Sequence, residues 1–118
     1  ANRILLIEEQ ENSAAIICDL LTADGYEVIW EVNADQILNQ LASLKPAMLI
    51  ADLALLSHDA ENIKDIQLTI TDLNTKVLAL LAKSVSESSH IAHHDTLSKP
   101  IDPKKLLEKV RHLTLTRQ

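Results

Sequence analysis

Glycine is nearly missing: Gly25 is the single one in 118 residues. Dinucleotide and P-loop phosphate sites need several glycines, because backbone amides must approach phosphate with no side chain in the way. Both kinds of site are excluded. There is no phenylalanine, and Tyr26 and Trp30 are the only aromatics, too few for the stacking platforms that grip single-stranded nucleic acid and little material for a flavin pocket. The lone cysteine, Cys18, cannot form an internal disulfide, and its place among Ala14, Ile17 and Leu21 reads as a buried thiol. Basic charge is short as well, 11 residues against 17 acidic for a net charge of −6, so the overall field repels phosphate backbones and direct nucleic-acid contact is not expected. No apolar run approaches the roughly 18 residues of a spanning helix, and no charged-then-apolar leader opens the chain. A soluble, cytoplasmic domain with no membrane contact is therefore expected.

What remains is apolar and periodic, with 47% hydrophobic residues and the size of one globular domain with one core. "RILLI" at 3–7 is a buried strand that stops at Glu8 and Glu9. From Asn12 to Ala23 apolar positions recur at three and four, and Gly25 ends that helix. "EVIWEV" at 27–32 reads as the second strand; Asn33 then caps a helix carrying Ile37, Leu38, Leu41 and Leu44. "AMLIA" is a third strand, Ile63, Ile66, Ile70 and Leu73 mark a third helix, and "KVLALLA" at 76–82 is a fourth strand. Residues 84–94 offer only Val85, Ile91 and Ala92 as anchors, so a fourth helix there is short and loosely attached. "DTLS" is a fifth strand; Asp102 caps a last helix with Pro103 at its first position. Ala1 precedes the regular pattern, leaving residues 2–118 as a single domain.

Strands apolar on both faces and alternating with helices indicate an α/β fold, a five-stranded parallel sheet covered on both sides. The doubly wound, flavodoxin-like strand order 2-1-3-4-5 is expected, and ligands in such sheets gather at the carboxyl ends of the strands. Glu8 and Glu9 follow strand one, Asp52 ends strand three inside the apolar run "AMLIADLALL", and Lys99 follows strand five just before Pro100. Three carboxylates and one ammonium would share a crevice.

That constellation, with "RILLIEEQ", "DLLTADGYEV", "LKPAMLIADLALL" and "LSKPID" in order along nearly the whole chain, resembles the receiver domain of two-component response regulators. The resemblance implies a signalling domain that is not an enzyme in its own right. It implies phosphoryl transfer from a phosphohistidine on a histidine kinase or phosphotransfer protein onto Asp52, with Mg2+ held by Glu8, Glu9 and Asp52 and with Lys99 contacting the phosphoryl group. A cis Lys99–Pro100 bond is also implied. The residue types suit such chemistry, since a carboxylate attacking phosphorus amid other carboxylates needs cations to offset the gathering charge, and magnesium prefers oxygen ligands.

The chain also departs from the pattern. Glu9 stands where aspartate is usual, moving the carboxylate by roughly 1 to 1.5 Å. Leu81 takes the place of a phosphoryl-gripping hydroxyl at the end of strand four, and Thr96 replaces the usual aromatic on strand five. An apolar side chain cannot donate the missing hydrogen bond. The interval from Leu81 to Lys99 is a few residues short, and "LLSHDA" replaces a proline-glycine turn. Two readings stay open: an atypical phosphoacceptor, or a pseudo-receiver acting as a phosphorylation-independent interaction or dimerisation module. Lys99 could also simply pair with Asp52.

His90 and His94 lie four apart beside His93 and Asp95, as helical metal ligands do, but with no accompanying ligand motif the solvated reading is preferred. His58, six residues beyond Asp52, reads as solvent-facing in preference to a neighbour of the crevice, and His112 reads as a residue of the last helix with no chemical task. By resemblance, a homodimer would use the face of the fourth and fifth helices, and an effector domain would lie in sequence outside this chain.

Overall fold

The computed structural model describes residues 2–57, 62–82 and 92–115. Four short, mainly apolar runs form β1 (Arg3–Ile7), β2 (Glu27–Glu31), β3 (Met48–Asp52) and β4 (Lys76–Leu81), and the more polar β5 (Asp95–Ser98) buries only Leu97. All neighbouring pairs are parallel, and the order is β2-β1-β3-β4-β5. This is the doubly wound order expected from the sequence. β3 and β4 are buried along their whole lengths, whereas β2 at the edge is only partly covered and begins and ends on a glutamate.

Because side chains alternate across a strand, the sheet divides the core in two. Leu5, Ile7, Leu49, Ala51, Val77 and Ala79 face one side, where α2 (Ile37–Leu44) and α4 (Ile63–Leu73) bring Leu41, Ile66 and Ile70. Ile4, Leu6, Ile50, Leu78 and Leu80 face the other, under α1 (Glu11–Ala23) and α5 (Pro103–Leu115), which bring Ile17, Leu21, Leu106 and Val110. Cys18 is half-buried against this second cluster, a looser position than a fully buried thiol.

The helix ends follow local chemistry. Asp102 Oδ1 accepts hydrogen bonds from the Lys104 and Lys105 amides at 3.0 and 3.4 Å, the expected cap of α5. Gly25 sits at φ +96°, which lets the chain reverse between α1 and β2. Asn33, expected to cap with its side chain, makes no such bond; a 3₁₀ turn over Ala34–Gln36 precedes α2, and the Asn33 amide instead donates to Glu31 Oε2 at 3.0 Å. A helix absent from the sequence reading, α3 (Leu53–Ser57), starts directly after Asp52 and tucks Leu53, Leu55 and Leu56 into the first core cluster. The loose helix expected over 84–94 falls outside the described residues apart from 92–94, as do His58 and His90. No described helix is long and apolar enough to cross a membrane.

Candidate functional site at the carboxyl end of the sheet

Pairing of β1 with β3 ends at Ile7 and Ala51, so the next residue of each strand, Glu8 and Asp52, emerges side by side. Both are buried, Glu8 at 0% and Asp52 at 7% exposure. The loop after β5 brings Lys99 between them. Its ammonium lies 2.6 Å from Asp52 Oδ2 and 2.8 Å from Glu8 Oε2, and it donates to Glu8 Oε1 at 2.9 Å. Glu8 Oε2 is touched by the charge without a directed hydrogen bond, and it has no hydrogen-bond partner among the described residues. Burial works to lower the Lys99 pKa, but the hydrogen bonds and charges of Asp52 and Glu8 outweigh it and hold the ammonium above the usual lysine range. The Lys99–Pro100 bond is cis.

Asp52 has a second task. Its Oδ1 accepts from the amides of Ala54 at 2.8 Å and Leu55 at 3.3 Å, the hydrogen bonds of an N-cap. Asp52 therefore starts α3. Helical carbonyls point toward the helix C-terminus, so those of Leu53 and Ala54 turn away from the crevice.

The expected acidic trio does not assemble. Glu9 is exposed, because the residue after a buried one at a strand end points the other way. Gln10 takes its place: the side-chain Oε1 accepts from Lys99 at 3.1 Å, and the Gln10 amide donates to Glu8 Oε1 at 3.0 Å. Among the described residues no group of three or more His, Cys, Asp or Glu could hold a metal ion. With an ammonium already between the two buried carboxylates, the residues as arranged do not fit a magnesium centre. Leu81, 7% exposed at the end of β4, packs into the first core cluster, and its backbone carbonyl accepts from the Lys99 amide at 2.9 Å. Thr96 lines a cleft along β5 and α5 with Lys105 and Lys109.

Two contributors escaped the sequence reading. Gln10 carries no charge and so gave no signal beside its acidic neighbours. Trp30 donates its indole N–H to the Glu8 carbonyl at 2.6 Å, a contact made across two strands that only the strand order brings together.

The comparisons agree with this architecture. A response regulator of Thermotoga maritima matches with a TM-score of 0.79 and 21% identity, covering 98% of this chain and 99% of that one. The chemotaxis response regulator CheY4 of Vibrio cholerae matches with a TM-score of 0.77 and 18% identity over 95% and 98%. The chain has the receiver fold. No family model matches the receiver-fold chain. Among curated proteins it is similar to the circadian input-output histidine kinase CikA of Synechococcus elongatus, 33% identical over 121 residues. That alignment takes in 96% of this chain but 15% of CikA, so the receiver-fold chain spans a small part of the curated relative's length.

Proposed function

We propose that this receiver-fold domain serves histidine-kinase signalling as a phosphorylation-independent interaction module, with Glu8, Lys99 and Asp52 acting as a clamp on three strand ends. It carries out no turnover of its own. One observation carries the reading: Asp52 commits Oδ2 to Lys99 and Oδ1 to the first amides of α3, so the oxygens that would attack phosphorus are already engaged in holding the fold. Exposed Glu9 and apolar Leu81 support it, since neither the third acid nor the hydroxyl stands in the crevice. The likeness to part of a histidine kinase supports the signalling context.

A second reading keeps Asp52 as phosphoacceptor, with Mg2+ at Glu8, Glu9 and Asp52 and a histidine kinase or phosphotransfer protein as donor. What favours it is the place of Asp52 at the carboxyl end of β3 with an ammonium 2.6 Å away, a cation that would meet an incoming phosphoryl oxygen. For this reading Lys99 must leave Glu8 and Glu9 must turn inward.

Incubation with millimolar magnesium and acetyl phosphate, followed by intact mass, separates the two. The module reading expects no phosphoryl adduct and no amide shifts with beryllofluoride. An adduct on the wild-type chain that vanishes in Asp52→Asn would establish the phosphoacceptor instead.

A further inference from the structure

Glu8 is held from two sides. Its carboxylate faces Lys99, while its backbone is tied to β2: the Glu8 amide donates to the Glu31 carbonyl at 3.2 Å, and the Glu8 carbonyl accepts from the Trp30 indole at 2.6 Å. The residue is fully buried, so each of these polar groups needs a partner. One more rung of the parallel ladder would offer the Asn33 amide to the Glu8 carbonyl. That amide turns instead to the Glu31 carboxylate, at 3.0 Å. The indole stands in for a ladder amide, from a side chain and not from backbone.

A side chain can swing away where a ladder amide cannot. Trp30 lies on the edge strand and is 41% exposed, so part of its ring already faces solvent. Turning the ring outward would leave the Glu8 carbonyl buried without its donor, an expensive state unless Glu8 moves as well. The converse holds at the other end of the residue. Lys99 donates to Glu8 Oε1 and Asp52 Oδ2 together; with the ammonium gone, two buried carboxylates repel, and that repulsion acts on the same backbone that the indole holds.

We propose that Trp30 is the positioning residue of the clamp, its indole N–H keeping the Glu8 carboxylate on Lys99, so that the clamp and the exposed ring at the sheet edge open and close together. This coupling rests on the reading of Glu8, Lys99 and Asp52 as a clamp and gives that site its regulation. Whatever turns the Trp30 ring loosens Lys99, and whatever draws Lys99 away frees the ring. The two effects are reciprocal, because each is the same interaction free energy seen from one end.

Trp30 is the single tryptophan, so growth on benzothienylalanine exchanges just its N–H for sulfur, and growth on a tryptophan fluorinated on its benzo ring keeps the N–H. Proton exchange of the Lys99 ammonium is followed by nuclear magnetic resonance at neutral pH. In the sulfur-containing chain that exchange should be about threefold faster or more, a larger factor than for the Leu78 amide of β4, while the fluorinated chain matches wild type. In the other direction, Lys99→Met should move the Trp30 indole signal toward that of a free indole. Ammonium exchange that stays at the wild-type rate, or that quickens only in step with Leu78, overturns the coupling: the indole then contributes stability alone and the clamp reading stands. A phosphoryl adduct at Asp52 of the wild-type chain overturns the clamp reading itself and the coupling with it. The sulfur-containing chain decides the matter even if Lys99→Met fails to fold.

Discussion

Lys99 holds together what would otherwise be two buried carboxylates repelling each other. Lys99→Met keeps the aliphatic stem and removes the charge, leaving Glu8 and Asp52 uncompensated. Breaking a buried ion pair from one side costs about 3–5 kcal/mol, and urea denaturation at neutral pH should show a loss of that size. The alkaline limb offers a second check. Because the folded state holds the Lys99 proton more tightly than the unfolded chain, its contribution is complete below the ordinary lysine value of 10.5 and is lost as pH rises through the higher folded value. An alkaline slope unchanged in Lys99→Met would mean that the clamp contributes nothing. His94 acts in the opposite direction. Its Nδ1 accepts from the Val77 amide at 2.9 Å, so a proton there would set donor against donor. Desolvation first, then the charges of Lys76 and His93, lower its pKa from the ordinary 6.5. Stability from His94 is therefore full above 6.5 and declines as pH falls through the lowered value. His94→Asn supplies a non-titrating acceptor, and its melting temperature should fall less steeply than wild type below pH 6.5. Parallel curves would assign the acid loss to other groups.

At the scale of elements, the turn between α1 and β2 rests on Gly25. A Cβ there would meet nothing within 4 Å, so Gly25→Ala tests backbone strain alone at φ +96°. A loss of about 1–2 kcal/mol is expected; a neutral result by thermal or urea denaturation would mean that the turn relaxes to a negative φ. Gly25 was legible in the sequence because one glycine after a periodic helix has one plausible job. So were the five strands, since each apolar run is bounded by charge or proline. α3 was not legible: Leu53–Ser57 continues the apolar run of β3 without a change of period, and the residue that turns the chain, Asp52, carries a side chain whose chemistry suggested a nucleophile before a cap. Glu8 and Glu9 are identical in composition, and only strand geometry sends one inward and the other to solvent. Gln10 follows from the same turn, reaching Lys99 because Glu9 does not.

For the whole molecule, the sheet is both partition and platform. Residues alternating along β1, β3 and β4 feed two separate clusters, while the ends of β1 and β3 carry the carboxylates that Lys99 joins. If the sheet is a rigid partition, a small cavity on one side should not be felt on the other. Ile17 of α1 and Ile37 of α2 are both fully buried, on opposite faces. Ile17→Val and Ile37→Val should each cost about 0.5–1.5 kcal/mol and add within about 0.5 kcal/mol in the double variant, with a single unfolding transition by circular dichroism and fluorescence alike. Larger coupling would mean that the strands shift to fill the space. In that case the separation of Glu8 and Asp52 would move as well, and amide shifts at Gln10 and Ala54 in the double variant would report a clamp set by core packing and not by Lys99 alone.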